Sequence, residues 1–178
     1  SLNLNIVSWT FLAFGLILSS SPMHFIKLIN NAAATVGPII LQYPFYSGIM
    51  GMMATTGLMK VITDWIISIS TPETLGFFAF LSGGLVNMFI PSGGGQWAVQ
   101  GPIMIEAALS LNVNPSVVVL GVAYGDQWSN MIQPFWTIPI LAIAGLHMRQ
   151  ILGYTFVIFI MTGILFGSGM LYMGSGNI

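Results

Sequence analysis

The sequence predicts an all-α, polytopic integral membrane domain that contains a re-entrant helical hairpin and a discontinuous transmembrane helix. Only 4% of its 178 residues are charged, whereas a soluble domain carries about 25%, and its mean hydropathy is +0.91. Two polar segments with glycine and proline, residues 91–97 and 125–134, interrupt the apolar stretches. Because irregular backbone at membrane depth is tolerated only inside protein or around a wet cavity, these two breaks indicate a binding site.

The composition also argues against several other classes of protein. The formal net charge is -1, so the basic footprint of a protein with a nucleic-acid partner is missing. The chain contains no cysteine, which excludes disulfides and thiolate metal sites, and no cofactor is expected. The sequence starts with Ser1 and has no basic segment before its first apolar run. We therefore expect a fragment of a longer protein, without a signal peptide.

The first part of the chain is expected to hold two spans and one interfacial helix. Residues 5–20 are a slightly short span, because a membrane crossing needs about 20 residues. Residues 24–37 are interpreted as a mixed connector and residues 38–59 as the second span. In residues 61–70 the apolar side chains share one helical face, which is typical of a short helix in the membrane interface.

The next part is expected to form the hairpin. Residues 75–90 are apolar but end at the first break, and residues 98–111 are long enough to go only about half way across a membrane. Residues 75–111 are therefore interpreted as a re-entrant hairpin with residues 91–97 at its tip.

The last part is expected to contain the broken helix and one complete span. Residues 116–124 and 135–146 lie on either side of the second break, so residues 116–146 are interpreted as one broken transmembrane helix. A short loop at residues 147–153 then leads to the last span, residues 154–173.

Two long runs resemble the short-chain fatty acid transporter family. They are residues 87–104, NMFIPSGGGQWAVQGPIM, and residues 125–136, GDQWSNMIQPFW. The resemblance implies secondary active transport of monocarboxylates such as butyrate and acetoacetate through the lipid bilayer of the bacterial cytoplasmic (inner) membrane, by symport with H⁺ or Na⁺. It also implies that residues 1–178 are the C-terminal one of two inverted repeats, that the N-terminal repeat is missing, and that the carrier forms a homodimer.

The hairpin tip has the chemistry of an anion site. Its glycines leave backbone N–H groups unshielded, and it leads into a helix that is expected to start at Ala98. Helix starts carry partial positive charge and free donors, so a substrate carboxylate fits there. The alternative is a flexible turn between two packed helices. The predicted substrate-binding residues are Ser92, Gly93, Gly94, Gly95, Gln96 and Trp97.

The second break has the chemistry of a cation site. Asp126 is expected at the carboxyl end of a half-helix, where unpaired carbonyls carry partial negative charge. Asp126, Ser129 and Asn130 are the predicted ion-coupling residues, either as ligands of Na⁺ or with a proton on Asp126. Ser129, Asn130 and Gln133 are also predicted to contact the substrate. The alternative is that Asp126 only caps its helix or pairs with a neighbour.

Other functions stay open at this point. A passive anion channel or a carrier for another small carboxylate would also place two half-crossings at mid-membrane. An enzyme is not expected, because a nucleophile, a base and an orienting group must lie together, and His24 and His147 are expected at the interface. Glu106, in the returning arm of the hairpin, is either a proton carrier or a residue of the external mouth.

Overall fold

The computed structural model of the chain describes residues 3–176, so the predicted domain, residues 1–178, extends two residues beyond this range at each end. All regular structure in the described range is α-helical, which confirms the prediction of an all-α fold. In that range, α8 is the one helix long and apolar enough to cross a membrane. The helices are α1 (Leu4–Leu18), α2 (Pro22–Thr55), α3 (Leu58–Ser68), α4 (Leu75–Asn87), α5 (Gly93–Ser110), α6 (Pro115–Ser129), α7 (Pro134–Ala144) and α8 (Met148–Gly174).

The chain divides into two compact units, one up to Leu41 and one from Gln42 onward. In the first unit, α1 starts after Asn3, whose side-chain oxygen accepts a hydrogen bond from the backbone N–H of Ile6 at 2.9 Å. Asparagine is among the strongest N-cap residues. The helix predicted at residues 5–20 is therefore present, and it ends two residues earlier than expected.

Residues 24–37 are not a connector, so this prediction is wrong. They belong to α2, which runs for 34 residues without interruption. Polar residues such as Lys27 and Asn30 do not stop a helix, because lysine is a good helix former and asparagine costs only a fraction of a kcal/mol. The helix ends before Gly57, which adopts the left-handed conformation with φ +73° that glycine tolerates best.

A short helix is present as predicted near residues 61–70, although α3 begins three residues and ends two residues earlier. Its location in the membrane interface stays a prediction. Lys60 and Asp64 form an exposed ion pair of 2.9 Å on one side of α3, and Thr63 and Ile66 are buried on the other. Exposed pairs of this kind contribute little to stability. Packing of the buried face therefore holds α3 in place.

The core of the second unit is a close crossing of α4 and α6. A Cβ built on Gly83 would lie 2.8 Å from the carbonyl oxygen of Val122, and one built on Gly121 would lie 2.7 Å from that of Gly76. Real Cβ atoms essentially never come closer than 3.0 Å. The two backbones therefore meet where side chains are absent. Gly121 and Gly125 are four residues apart, the small-residue spacing that allows close contact between membrane helices.

The helix–break–helix order predicted for residues 75–111 is present, but the second helix starts earlier than expected. α5 begins at Gly93 rather than at Ala98, because the Oγ of Ser92 accepts the backbone N–H of Gly95 at 3.3 Å and caps the helix. The three glycines thus form the first helical turn instead of an irregular tip. The re-entrant path of α4 and α5 through a membrane stays a prediction.

The second break is also shorter than predicted. α6 continues through Gly125, so the break is confined to residues 130–133, and α7 follows directly. Gly125 does not end the helix because it packs against α4 within the helix. α6 and α7 together cover most of the predicted broken helix. The loop predicted at residues 147–153 is wrong as well, because α8 begins at Met148.

Candidate functional site

A cavity of about 390 Å³ lies between the first turn of α5 and the second half of α6. The cavity therefore lies between the helix that follows the first break and the helix that precedes the second break. Its wall is mostly apolar, with one carboxyl group and two amides. The lining residues are Gly93, Gln96, Trp97, Val119, Val122, Ala123, Asp126 and Gln127.

Asp126 places its carboxyl group beside the start of α5. A Cβ built on Gly93 would lie 3.6 Å from Asp126 Oδ2. The backbone N–H groups of Gly93 and Gly94 have no hydrogen-bond partner among the described residues, whereas the next two N–H groups are bound to Ser92. Two free donors and the positive end of the helix dipole therefore lie next to this carboxyl group.

Gln96 and Gln100 form a buried chain of amides that joins α5 to α4. Gln96 Nε2 donates to the carbonyl oxygen of Gly83 and to Gln100 Oε1, both at 2.9 Å. Gln100 Nε2 donates to Ser82 Oγ at 2.8 Å. Both glutamines are 0% exposed, yet Gln96 Oε1 has no donor. A cavity-lining residue thus keeps one buried acceptor without a partner.

Asn87, at the end of α4, joins this helix to the second break. Its Nδ2 lies within hydrogen-bond distance of the Asp126 carbonyl oxygen (3.0 Å), Ser129 Oγ (2.8 Å) and Asn130 Oδ1 (2.8 Å). Gln133 Nε2 donates to the Asn87 carbonyl oxygen at 2.6 Å. The oxygens of Ser129 and Asn130 that were predicted to face a cation are therefore bound to an amide here.

Asn87 is the site residue that the sequence prediction did not single out. The signal for it is an amide at the end of an otherwise apolar helix, where the cost of an unsatisfied polar group is high. Its partners are 39 to 46 residues away in the sequence, so no local pattern identifies them.

The other predicted substrate residues lie outside the cavity of 390 Å³. Ser92 lines a neighbouring cavity of about 170 Å³ together with aromatic side chains of α2 and α7. Gly94 is exposed, and a Cβ there would meet nothing within 4 Å. Gly95 packs on Ser92, because a Cβ built on Gly95 would lie 3.1 Å from Ser92 Oγ. The predicted residues therefore divide between two cavities and the Asn87 amide network, and their contact with substrate stays a prediction.

Glu106 lies apart from Asp126. It lines a separate cavity of about 210 Å³ with Lys60 and Asp64 of the short helix α3. At 1.5 Å per residue, its position on α5 is about 20 Å from Gly93. Of the two roles considered for Glu106, this position favours a mouth residue over a proton carrier.

The described residues offer a cation separate oxygen atoms rather than a cluster of charged ligands. Among the described residues, no group of three or more histidine, aspartate or glutamate side chains is placed to hold a metal ion. Three buried side-chain carbonyl oxygens lack donors: Asn87 Oδ1, Gln96 Oε1 and Gln133 Oε1. Such oxygens suit either Na⁺ or an N–H or O–H donor.

The family of the chain follows from comparison with known proteins. A family model described as "Short chain fatty acid transporter" matches residues 1–173. The chain belongs to the short-chain fatty acid transporter family. It is 41% identical over 170 residues to the "Putative short-chain fatty acid transporter" of Escherichia coli (strain K12). The aligned region covers 96% of the chain and 39% of that relative.

A second relative in the short-chain fatty acid transporter family gives the same result. The protein of the same printed name from Haemophilus influenzae (strain ATCC 51907 / DSM 11121 / KW20 / Rd) is 38% identical over 173 residues, or 97% of the chain and 39% of the relative. No solved structure matches the chain significantly. Family membership confirms the resemblance, and both relatives are named as transporters rather than as enzymes. The chain spans about 39% of the length of these relatives.

Proposed function

We propose that this chain is the C-terminal repeat of a secondary active transporter for short-chain monocarboxylates such as butyrate and acetoacetate, coupled to H⁺ or Na⁺. The observation that supports the proposal best is the cavity of about 390 Å³ between α5 and α6. Small-molecule sites have volumes of about 300–1,000 Å³ and combine apolar walls with a few polar groups. This cavity has both properties.

In this proposal the substrate carboxylate accepts the free backbone N–H groups of Gly93 and Gly94, and the acyl tail lies against Val119, Val122 and Trp97. Among the described residues, no basic side chain lines the cavity, so in this proposal binding depends on neutral donors and on the helix dipole. Neutral donors bind a carboxylate more weakly than an arginine does. Weak binding suits a carrier, which must release its substrate on the other side.

The proposed assembly places this chain in the bacterial cytoplasmic membrane together with an N-terminal repeat and, in a homodimer, a second copy. Many helices in the second unit expose large apolar side chains, and such surfaces suit contact with lipid or with other helices. Transport then requires the α4–α5 hairpin and the broken helix to move against the rest of the assembly.

Uptake measurements test the proposal. The complete polypeptide encoded by the gene that contains this sequence would be reconstituted in liposomes, with acetoacetate as substrate under an imposed Na⁺ gradient and, separately, an imposed proton gradient. We expect saturable uptake that one of the gradients accelerates. Uptake that does not saturate and that neither gradient accelerates would instead indicate a passive channel.

Two glycines offer a pair of variants. We expect Gly93→Val to reduce substrate affinity at least about tenfold, because its side chain enters the cavity next to Asp126. Gly153→Val should have little effect, because Gly153 lies within α8, does not line the cavity, and a Cβ there meets nothing within 4 Å. Both changes lie within helices and carry a similar helix-propensity cost. Isothermal titration with butyrate compares them, and equal losses in both would contradict the proposed position of the substrate.

A further inference from the structure

We propose that the Asp126 carboxyl group and the substrate carboxyl group share one proton at the start of α5, so that the coupling ion is H⁺ rather than Na⁺. This inference rests on the proposed function. Sequence reasoning assigned the anion to the start of α5 and the cation to Asp126, as separate sites. The structure brings Asp126 and the start of α5 together at one cavity.

The geometry of the cavity brings the two carboxyl groups together. Asp126 Oδ2 is 3.6 Å from the position of a Cβ on Gly93, and both residues line the cavity. A substrate carboxylate on the free N–H groups of Gly93 and Gly94 must therefore lie beside Asp126. Two carboxylates that share a site cannot both ionise easily, because like charges at such a distance repel strongly in a water-poor environment. One proton removes this repulsion.

Gln96 provides a second and independent observation. It lines the cavity and is 0% exposed. Its Nε2 is bound to α4 and to Gln100, and its Oε1 has no donor. A carboxylate cannot satisfy this acceptor, whereas a carboxylic acid has one O–H to donate. A protonated carboxyl group in the cavity would thus satisfy the unpartnered oxygen, as Na⁺ also would, and the titration with Na⁺ described below distinguishes the two.

Among the described residues, no other charged group is placed to neutralise Asp126. α6 packs against α4, α5 and α8, and α4 carries no titratable side chain. On α5, Glu106 lines a different cavity. In the described part of the chain, the one ion pair is Lys60 with Asp64, on α3. The remaining titratable side chains of α6 and α8 do not line the cavity: Tyr124, Arg149, Tyr154 and Tyr172.

The proton balance of a transport cycle follows. On the side with the higher proton concentration, the empty site takes up one proton and one carboxylate, so that one of the two carboxyl groups carries the proton. The loaded pair carries one negative charge, the same as ionised Asp126 alone, so the uptake of one carboxylate with one proton adds no net charge to the site. On the other side the carboxylate leaves and the proton follows.

The test counts the protons that are taken up when butyrate binds. The complete polypeptide in detergent would be titrated with sodium-free butyrate at pH 6 to 9, in buffers with different heats of ionisation. We expect about one proton per butyrate in the alkaline part of the range, where Kd should rise about tenfold per pH unit. Butyrate itself stays ionised throughout this range, so the trend reports the site. Added Na⁺ should leave Kd unchanged.

Two variants serve as matched tests. Asp126→Asn should bind butyrate without proton uptake and with a Kd that does not depend on pH. Glu106→Gln removes a carboxylate that lines a separate cavity and should keep the wild-type proton uptake. If Asp126→Asn does not fold, the pH dependence and the Na⁺ titration of the wild type decide.

The outcomes separate this inference from the proposed function. Butyrate binding without proton uptake, proton uptake that persists in Asp126→Asn, or a Kd that falls when Na⁺ is added would overturn the shared proton and leave the transporter proposal in place. A wild type that binds neither butyrate nor acetoacetate at any pH would overturn both.

Discussion

Replacing Gly125 with valine is expected to separate α4 from α6 and to leave little folded protein. A Cβ on Gly125 would overlap the carbonyl oxygen of Phe80 and would lie 2.6 Å from the backbone nitrogen of Gly84. Both atoms belong to the backbone of α4, so no change of rotamer relieves the overlap. Overpacking costs about 1–3 kcal/mol where side chains adjust. Here a whole helix must move, and we expect a loss of at least about 3 kcal/mol.

Thermal stability in detergent, followed by size-exclusion chromatography, measures this effect. Gly169→Val is the matched control, because Gly169 lies within α8 and a Cβ there meets nothing within 4 Å. The two changes have a similar intrinsic helix propensity. We therefore expect a much larger loss of melting temperature for Gly125→Val. Equal losses would contradict the close crossing of α4 and α6.

Composition and periodicity predict the fold class and most of the helices, because they depend on burial and on local backbone preference. The all-α fold and the short helix α3 follow from these signals. Helix ends are harder to predict. Gly93 and Gly125 were expected in breaks because glycine permits irregular backbone, but each lies within a helix. A side-chain cap at Ser92 and a close helix crossing at Gly125 decide these two cases, and both require knowledge of the neighbouring atoms.

In the candidate site, too, local sequence patterns identify single residues but not the contacts between distant ones. Local chemistry identifies Asp126 as a carboxyl group near a helix end and Gly93 as an exposed donor, and the structure brings these two residues together. The distance between Asp126 and Gly93 depends on how α5 packs against α6. The proposed repulsion between the Asp126 carboxylate and a substrate carboxylate at Gly93 therefore cannot be predicted from local sequence. Asn87 is the clearest example, since its amide joins residues of another helix and of the break after it.

Replacing Asn87 with alanine is expected to have the second largest effect on stability. The change removes the N–H₂ group that lies 2.8 Å from both Ser129 Oγ and Asn130 Oδ1 and 3.0 Å from the Asp126 carbonyl oxygen. Hydrogen bonds between membrane helices average about 0.6 kcal/mol each, whereas an oxygen left buried without a donor costs about 1–3 kcal/mol. Asn130 is half-buried and the Ser129 hydroxyl can rotate, so we expect an intermediate loss of about 2 kcal/mol.

A double-mutant cycle with Ser129→Ala isolates this contact from the general cost of a smaller side chain. We expect the two changes to be less than additive, because each removes the same hydrogen bond. Asn31→Ala, at an exposed position of α2, should change the melting temperature very little. Additive effects of Asn87→Ala and Ser129→Ala would mean that the two residues do not interact. The position of Asp126 beside α5 would then depend on the close crossing of α4 and α6 at Gly125 rather than on the contact between Asn87 and Ser129.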